Sequence, residues 1–185
     1  MVKDKFKAKK ITVLAVLTAL SLLAFLIENL FPPFFVPGAR LGVANVFSLI
    51  ALVTFSPVDA IIIVVCRTIL GAIFQGNVSA LLYSFTGGVA SILACATLFK
   101  FLYPKVSVVA ISVFSAVCHN VVQVLIYWAI TGTSITLSYL PYLVALAIPS
   151  GILIGVAVVI IIKTLPLSLF EKGWASINKN KVANG

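Results

Sequence analysis

The sequence predicts an all-α integral membrane protein, a bundle of six transmembrane helices with both termini in the cytoplasm. Three observations carry this reading. The 185 residues are 62% hydrophobic and only 9% charged, with a mean hydropathy of +1.24. Soluble domains run at about 45–50% apolar and about 25% charged, so this chain lacks the polar surface to coat a globule in water. Its apolar residues fall in runs close to the roughly 20 that a helix needs to cross a bilayer. Every lysine lies at one set of run ends.

The first span runs from Ile11 to about Leu30 and closes at Phe31-Pro32-Pro33, because proline offers no amide donor. It is about twice as long as the apolar core of a signal peptide, and no small-x-small cleavage site precedes the prolines, so it reads as a retained helix. The second, about Leu41 to Phe55, is short and ends at Ser56-Pro57. It and the third, Val58 to Phe74, are alternatively one broken hairpin. The third stops at the polar turn Gln75-Gly76-Asn77. The fourth covers Val78 to Leu102, before Tyr103-Pro104-Lys105, and the fifth covers Val106 to about Thr131. Gly132 to Ser138 form a polar loop, and the sixth span covers Tyr139 to Lys163 with Pro149 as an internal kink. The organisation is a basic cytoplasmic segment (1–10), a six-helix membrane domain (11–163) and a basic cytoplasmic tail (164–185).

Charge orients the bundle. Thirteen Lys and Arg against four Asp and Glu give a net charge of +9. Lys3, Lys5, Lys7, Lys9 and Lys10 precede the first span; Lys100 and Lys105 flank the fourth-to-fifth turn; Lys163, Lys172, Lys179 and Lys181 follow the sixth. With six spans all fall on one face, which the positive-inside rule makes cytoplasmic. The basic balance therefore reports orientation and contact with anionic lipid, not nucleic acid.

The composition also narrows the chemistry. Asp4, Glu28, Asp59 and Glu171 are scattered singly, with no carboxylate pair at catalytic spacing. One histidine, His119, makes no multi-histidine metal site, so no metal site is expected. No GxxxxGK[ST] run is present to cradle nucleotide phosphates. Cys66, Cys95 and Cys118 lie in apolar runs without CxxC spacing and read as free, inert thiols. The expectation is a non-enzyme without a cofactor.

Polar residues that are not lysine gather at the other side. Arg40 starts the second span from outside, and Arg67 falls near mid-membrane in the third. Glu28 and Asn29 end the first span, and Asn45 lies one turn into the second. Gln75 and Asn77 form an outer turn; His119, Asn120 and Gln123 occupy the outer half of the fifth span, with His119 and Gln123 four apart on one face. Such an array predicts a pocket opening outward. A guanidinium at the centre of a membrane helix costs about 2.5–3.5 kcal/mol to insert, so Arg67 needs a partner. That partner is Glu28, in a structural pair, or an anionic ligand held in bidentate geometry. Asp59, near the inner start of the third span, is expected to pair with a lysine there. His119, Asn120 and Gln123 either lace helices together or present a ligand face. The aromatics Phe31, Phe34, Phe35, Tyr127, Trp128, Tyr139 and Tyr142 form an interfacial belt or line the pocket.

Small residues mark close-packing faces. Ala15, Thr18 and Ala19 share one face of the first span; Ala147, Gly151 and Gly155 recur at fourfold spacing in the sixth; Gly87-Gly88, Ala90 and Ala94 do so in the fourth. These serve internal packing or docking to a partner.

The stretch Gly38-Ala39-Arg40-Leu41-Gly42-Val43-Ala44-Asn45 resembles the opening of the Gx transporters, a family also called heptaprenyl diphosphate synthase component I. The likeness continues through Arg67-Thr68-Ile69-Leu70-Gly71, Tyr83-Ser84-Phe85-Thr86-Gly87-Gly88 and His119-Asn120-Val121-Val122-Gln123. More broadly, the chain resembles the substrate-binding S components of energy-coupling factor (ECF) transporters. There an Ala-x-x-x-Ala face on the first helix docks against the coupling subunit, and Ala15 and Ala19 match it. The resemblance implies a prokaryotic plasma-membrane importer with a transmembrane coupling subunit and two cytoplasmic ATPases as partners. It further implies a small-molecule pocket near the outer surface, toppling of the S component, and release inside. Arg40, Asn45, Arg67, His119, Asn120 and Gln123 are the expected substrate contacts, favouring a small anionic or strongly hydrogen-bonding solute. The family's second name implies instead a non-catalytic subunit assisting a prenyl diphosphate synthase, since the chain has no aspartate-rich motif. A membrane subunit of a redox system ranks below both, because one histidine cannot form a bis-histidine haem site within a monomer.

Overall fold

The computed structural model describes residues 2–30, 42–76, 78–103 and 105–165. Arg40, Asn77, the Phe31-Pro32-Pro33 terminator and the expected tail beyond residue 165 lie outside the described residues. Within the described residues the chain is helical throughout, in the order α1 (Val2–Leu30), α2 (Ala44–Thr54), α3 (Pro57–Gln75), α4 (Val78–Leu102), α5 (Val108–Thr131), α6 (Ile135–Ser138) and α7 (Leu140–Thr164).

Two of these elements differ from the sequence expectation. Helix α1 begins at Val2, not Ile11, because lysine is a good helix former and the basic segment simply extends the apolar stretch Ala8–Glu28. Helix α2 starts at Ala44, since Gly42 takes φ +73° and turns the chain just before it. Its 11 residues rise only about 16 Å, short of the roughly 30 Å of a bilayer core. Five helices are thus long and apolar enough to cross a membrane, and α2 is a shorter apolar helix beside them. The predicted polar loop after α5 also contains the single turn α6.

Local chemistry explains the remaining boundaries. Ser56 caps α3, its Oγ accepting from the Asp59 N–H at 3.3 Å, and Pro57 occupies the first helical position, where its missing amide hydrogen costs nothing. Ser107 caps α5 in the same way, accepting from Ala110 N–H at 3.1 Å. Gly76 and Gly132 end α3 and α5 with φ of +64° and +66°.

The core lies between α2, α3, α4, α5 and α7. Leu52, Val53, Ile63, Val64, Ile111, Val158 and Ile162 are wholly buried there. Backbones approach most closely where glycine permits it. A Cβ at Gly151 would stand 2.6 Å from Val113 Cα, and one at Gly155 would stand 2.7 Å from Val109 Cα. The small-residue face of α7 is therefore internal packing against α5. By contrast Ala15 and Ala19 on α1 are exposed.

The exterior is apolar. Ile11, Val16, Leu23, Ile62, Ile73, Phe74, Phe101, Leu153 and Ile160 all expose their side chains. In water such a surface would drive aggregation; against lipid it is the matched solvent. The fold is that of a multi-pass membrane protein. At the lysine-bearing end, Lys10 pairs with Asp59 at 2.9 Å and lies 5.7 Å from the Phe55 ring centroid. The expected inner-face lysine for Asp59 is Lys10, which ties the first turns of α1 to the α2–α3 junction.

Candidate functional site

The short helix α2 sets the site. It is buried over nearly its whole length among α1, α3, α4 and α7, and it carries Asn45 into the bundle opposite Arg67 of α3. Arg67 is 2% exposed. Its Nη1 and Nη2 both donate to Asn45 Oδ1 at 3.1 Å, and Nη1 also reaches Ser21 Oγ at 3.4 Å. Ser21 in turn donates to the Ala44 carbonyl at 2.9 Å, so α1, α2 and α3 are joined around one guanidinium.

Two close approaches shape its surroundings. The Phe25 ring packs on Gly71, where a Cβ would come within 2.4 Å of Cε1, and its centroid lies 6.0 Å from Arg67 Cζ. That is cation–π range. On the other side Gly88 of α4 leaves room for Val64 and Arg67 Nη2, at 2.6 and 3.7 Å from a built Cβ. A larger residue at Gly71 would displace the Phe25 ring, and one at Gly88 would press on Val64.

A cleft with an empty volume of about 470 Å³, its open mouth included, opens beside this group. Arg67, Asn45 and Glu28 line it from α3, α2 and α1, and His119 and Asn120 line it from α5. Ser84 of α4 and Ser150 and Ala147 of α7 complete the wall. The Glu28 carboxylate accepts from Val43 N–H across the turn into α2. Asn120 Nδ2 donates to the Leu143 carbonyl at 2.9 Å, lacing α5 to α7. The lacing expected as one alternative therefore exists at Asn120, while the same side chain also faces the cleft. A smaller serine-lined space of about 290 Å³ adjoins it through Asn45, Ala116 and Ile154, with Ser91, Ser112 and Ser115 on its walls.

Of the six expected contact residues, Asn45, Arg67, His119 and Asn120 line one cleft. Gln123 does not. It is 8% exposed and lines a neighbouring cleft with Tyr83, Tyr127 and Tyr139. Arg40 lies outside the described residues. The sequence singles out none of Phe25, Ser21, Gly71 and Gly88 as surroundings of the guanidinium. Gly71, Ser84 and Gly88 fall inside the quoted motif stretches, and that was the available signal. Cys66, Cys95 and Cys118 are all free, and only Cys95 is buried.

The arrangement offers a fixed positive charge, amide and imidazole hydrogen-bonding groups, and hydroxyls, in a cleft walled by apolar helices. It suits binding of a small polar solute. Residues 17–161 match the family described as heptaprenyl diphosphate synthase component I. Among solved structures, the fold is similar to the S component of a bacterial ECF transporter, with a TM-score of 0.68 at 21% identity, covering 84% of this chain and 94% of that one. No curated protein matched.

Proposed function

The chain belongs to the heptaprenyl diphosphate synthase component I family, and from its S-component fold and polar cleft we propose that it is the substrate-binding component of an ECF-type, ATP-driven importer. The observation that carries the reading is Arg67, buried in a membrane-length helix and facing a cleft shared with Asn45 and His119. A charge at that depth is expensive, and a binding role for an anion or a strongly hydrogen-bonding solute gives the expense a purpose. Arg67 supplies the charge, with Arg40, which lies outside the described residues, as a second candidate cation. Asn45, His119 and Asn120 supply hydrogen bonds, and Gln123 supplies one from the adjoining cleft.

In this reading α2 marks the sixth crossing, and both termini face the cytoplasm. The lysine distribution supports that orientation. Ala15 and Ala19, exposed on α1, dock a transmembrane coupling subunit that works with two cytoplasmic ATPases. Cytoplasmic lysines contact anionic lipid.

The family description favours one other reading, a membrane subunit assisting a prenyl diphosphate synthase. Of the two aspartates, Asp59 is held by Lys10, so a catalytic diphosphate–metal role does not fit. An accessory role needs no polar cleft on the side away from the lysines.

A ligand screen tests the proposal. Purified protein is heated with phosphorylated and carboxylated solutes, because binding to the native state raises the melting temperature. At least one solute should stabilise the wild type and leave Arg67→Ala unmoved. A solute that stabilises both equally would remove Arg67 from the binding role.

A further inference from the structure

Beside the polar cleft, and one helical turn further along α5 and α7, lies a second cleft of different chemistry. Its empty volume is about 920 Å³ with the mouth included. The offset is read from the chain: Tyr83 adjoins Ser84 on α4, Gln123 is four residues past His119 on α5, and Leu143 is four residues before Ala147 on α7. Four residues are about one turn, roughly 5.4 Å. The two clefts adjoin where Asn120 of the first donates to the carbonyl of Leu143 of the second, and where a Cβ on Gly87 would sit 3.0 Å from the His119 carbonyl oxygen and 3.4 Å from Gln123 Cβ.

The second cleft is walled by Tyr83, Val124, Tyr127, Ile135, Tyr139 and Leu143. Tyr83 and Tyr127 meet edge to face at 5.6 Å between ring centroids. Gln123 brings a buried amide to the edge nearest the polar cleft. A charged head group gains nothing from aromatic and branched walls, whereas an apolar group gains affinity with every part of its surface that they cover.

We propose that the two clefts bind one amphiphilic ligand, with a compact anionic head at Arg67, Asn45 and His119 and an apolar ring or chain between Tyr83, Tyr127 and Leu143. This deepens, and rests on, the binding role assigned to the Arg67 cleft. Asn120 and Gln123 then stand at the junction of head and tail, which accounts for Gln123 lining the second cleft and not the first.

The test uses the full chain in nanodiscs and three probes of rising apolar content: methyl, phenyl and geranyl monophosphate. Affinity should rise by at least about tenfold from methyl to geranyl phosphate. Ile135→Trp, at an exposed position on the wall of the second cleft, should abolish that rise and leave methyl phosphate binding unchanged. Tyr127→Ala, at a partly exposed position, serves as a milder variant and should reduce the rise without perturbing the fold. Methyl phosphate binding with no gain from the tail would overturn the amphiphile and leave the Arg67 reading standing. A gain that both cleft variants leave intact would reflect partition into the lipid, and would also overturn it. No binding of any probe, or binding that survives Arg67→Gln, would overturn the Arg67 reading itself.

Discussion

Arg67 holds two positions at once: it is the hydrogen-bonding centre that joins α1, α2 and α3, and it faces the cleft. Its fork makes two bonds to a single oxygen of Asn45, a geometry that lysine cannot copy. Arg67→Lys should therefore keep the protein folded yet weaken ligand binding by at least about tenfold, measured by titration against the wild type. Asn45→Leu removes that acceptor from a buried guanidinium and should cost about 1–3 kcal/mol of stability, read as a lower melting temperature in detergent. The polar residues of this site were legible because charge and amide groups stand out in an apolar run. Phe25 and Ser21 were not, since an aromatic or a serine in a membrane helix carries no signal until the fold brings Gly71 and Arg67 beside it. Gln123 shows the limit of helical spacing. Lying four residues from His119 puts it on the same face, but one turn was enough to move it into another cleft.

At the scale of elements, the small-residue faces have separate fates. On α7, Gly151 and Gly155 lie against the backbone of α5, and Gly151→Leu should part the two helices. Overpacking of that kind costs about 1–3 kcal/mol and sometimes more, and loss of a monodisperse peak on size exclusion would report it. On α1 the face stays open. Ala15→Trp should leave ligand binding intact and block uptake, as measured with a transported solute in whole cells; retained uptake would remove the docking role. Identical spacing in the sequence cannot tell these two faces apart, because only the presence or absence of a packed neighbour does. Four of the spans were legible nearly to their ends, since proline, glycine and serine caps mark them chemically. Helix α2 was overread by three residues at its start. Its hydropathy is as high as a full span's, but Gly42 turns the chain and burial inside the bundle takes the place of length.

At the scale of the whole molecule, an apolar exterior, a lysine-bearing end and a polar cleft fit one arrangement. In the proposed arrangement the lysine end faces the cytoplasm and the cleft opens to the other side. Single cysteines in a background lacking Cys66, Cys95 and Cys118 test it with an impermeant maleimide. Lys3→Cys should label only after the membrane is opened, and Thr133→Cys should label in intact cells; the reverse pattern would invert the bundle. Charge alone carries the proposed orientation, whereas the ligand is not legible in the sequence, because the clefts are assembled from residues spread over seven helices. Purification from native membranes in gentle detergent tests whether this chain binds solute for an ATP-driven partner. The stoichiometric companions are then identified by mass spectrometry. A multi-span coupling protein with two ATPases is the predicted result; a soluble prenyl diphosphate synthase subunit alone would contradict it.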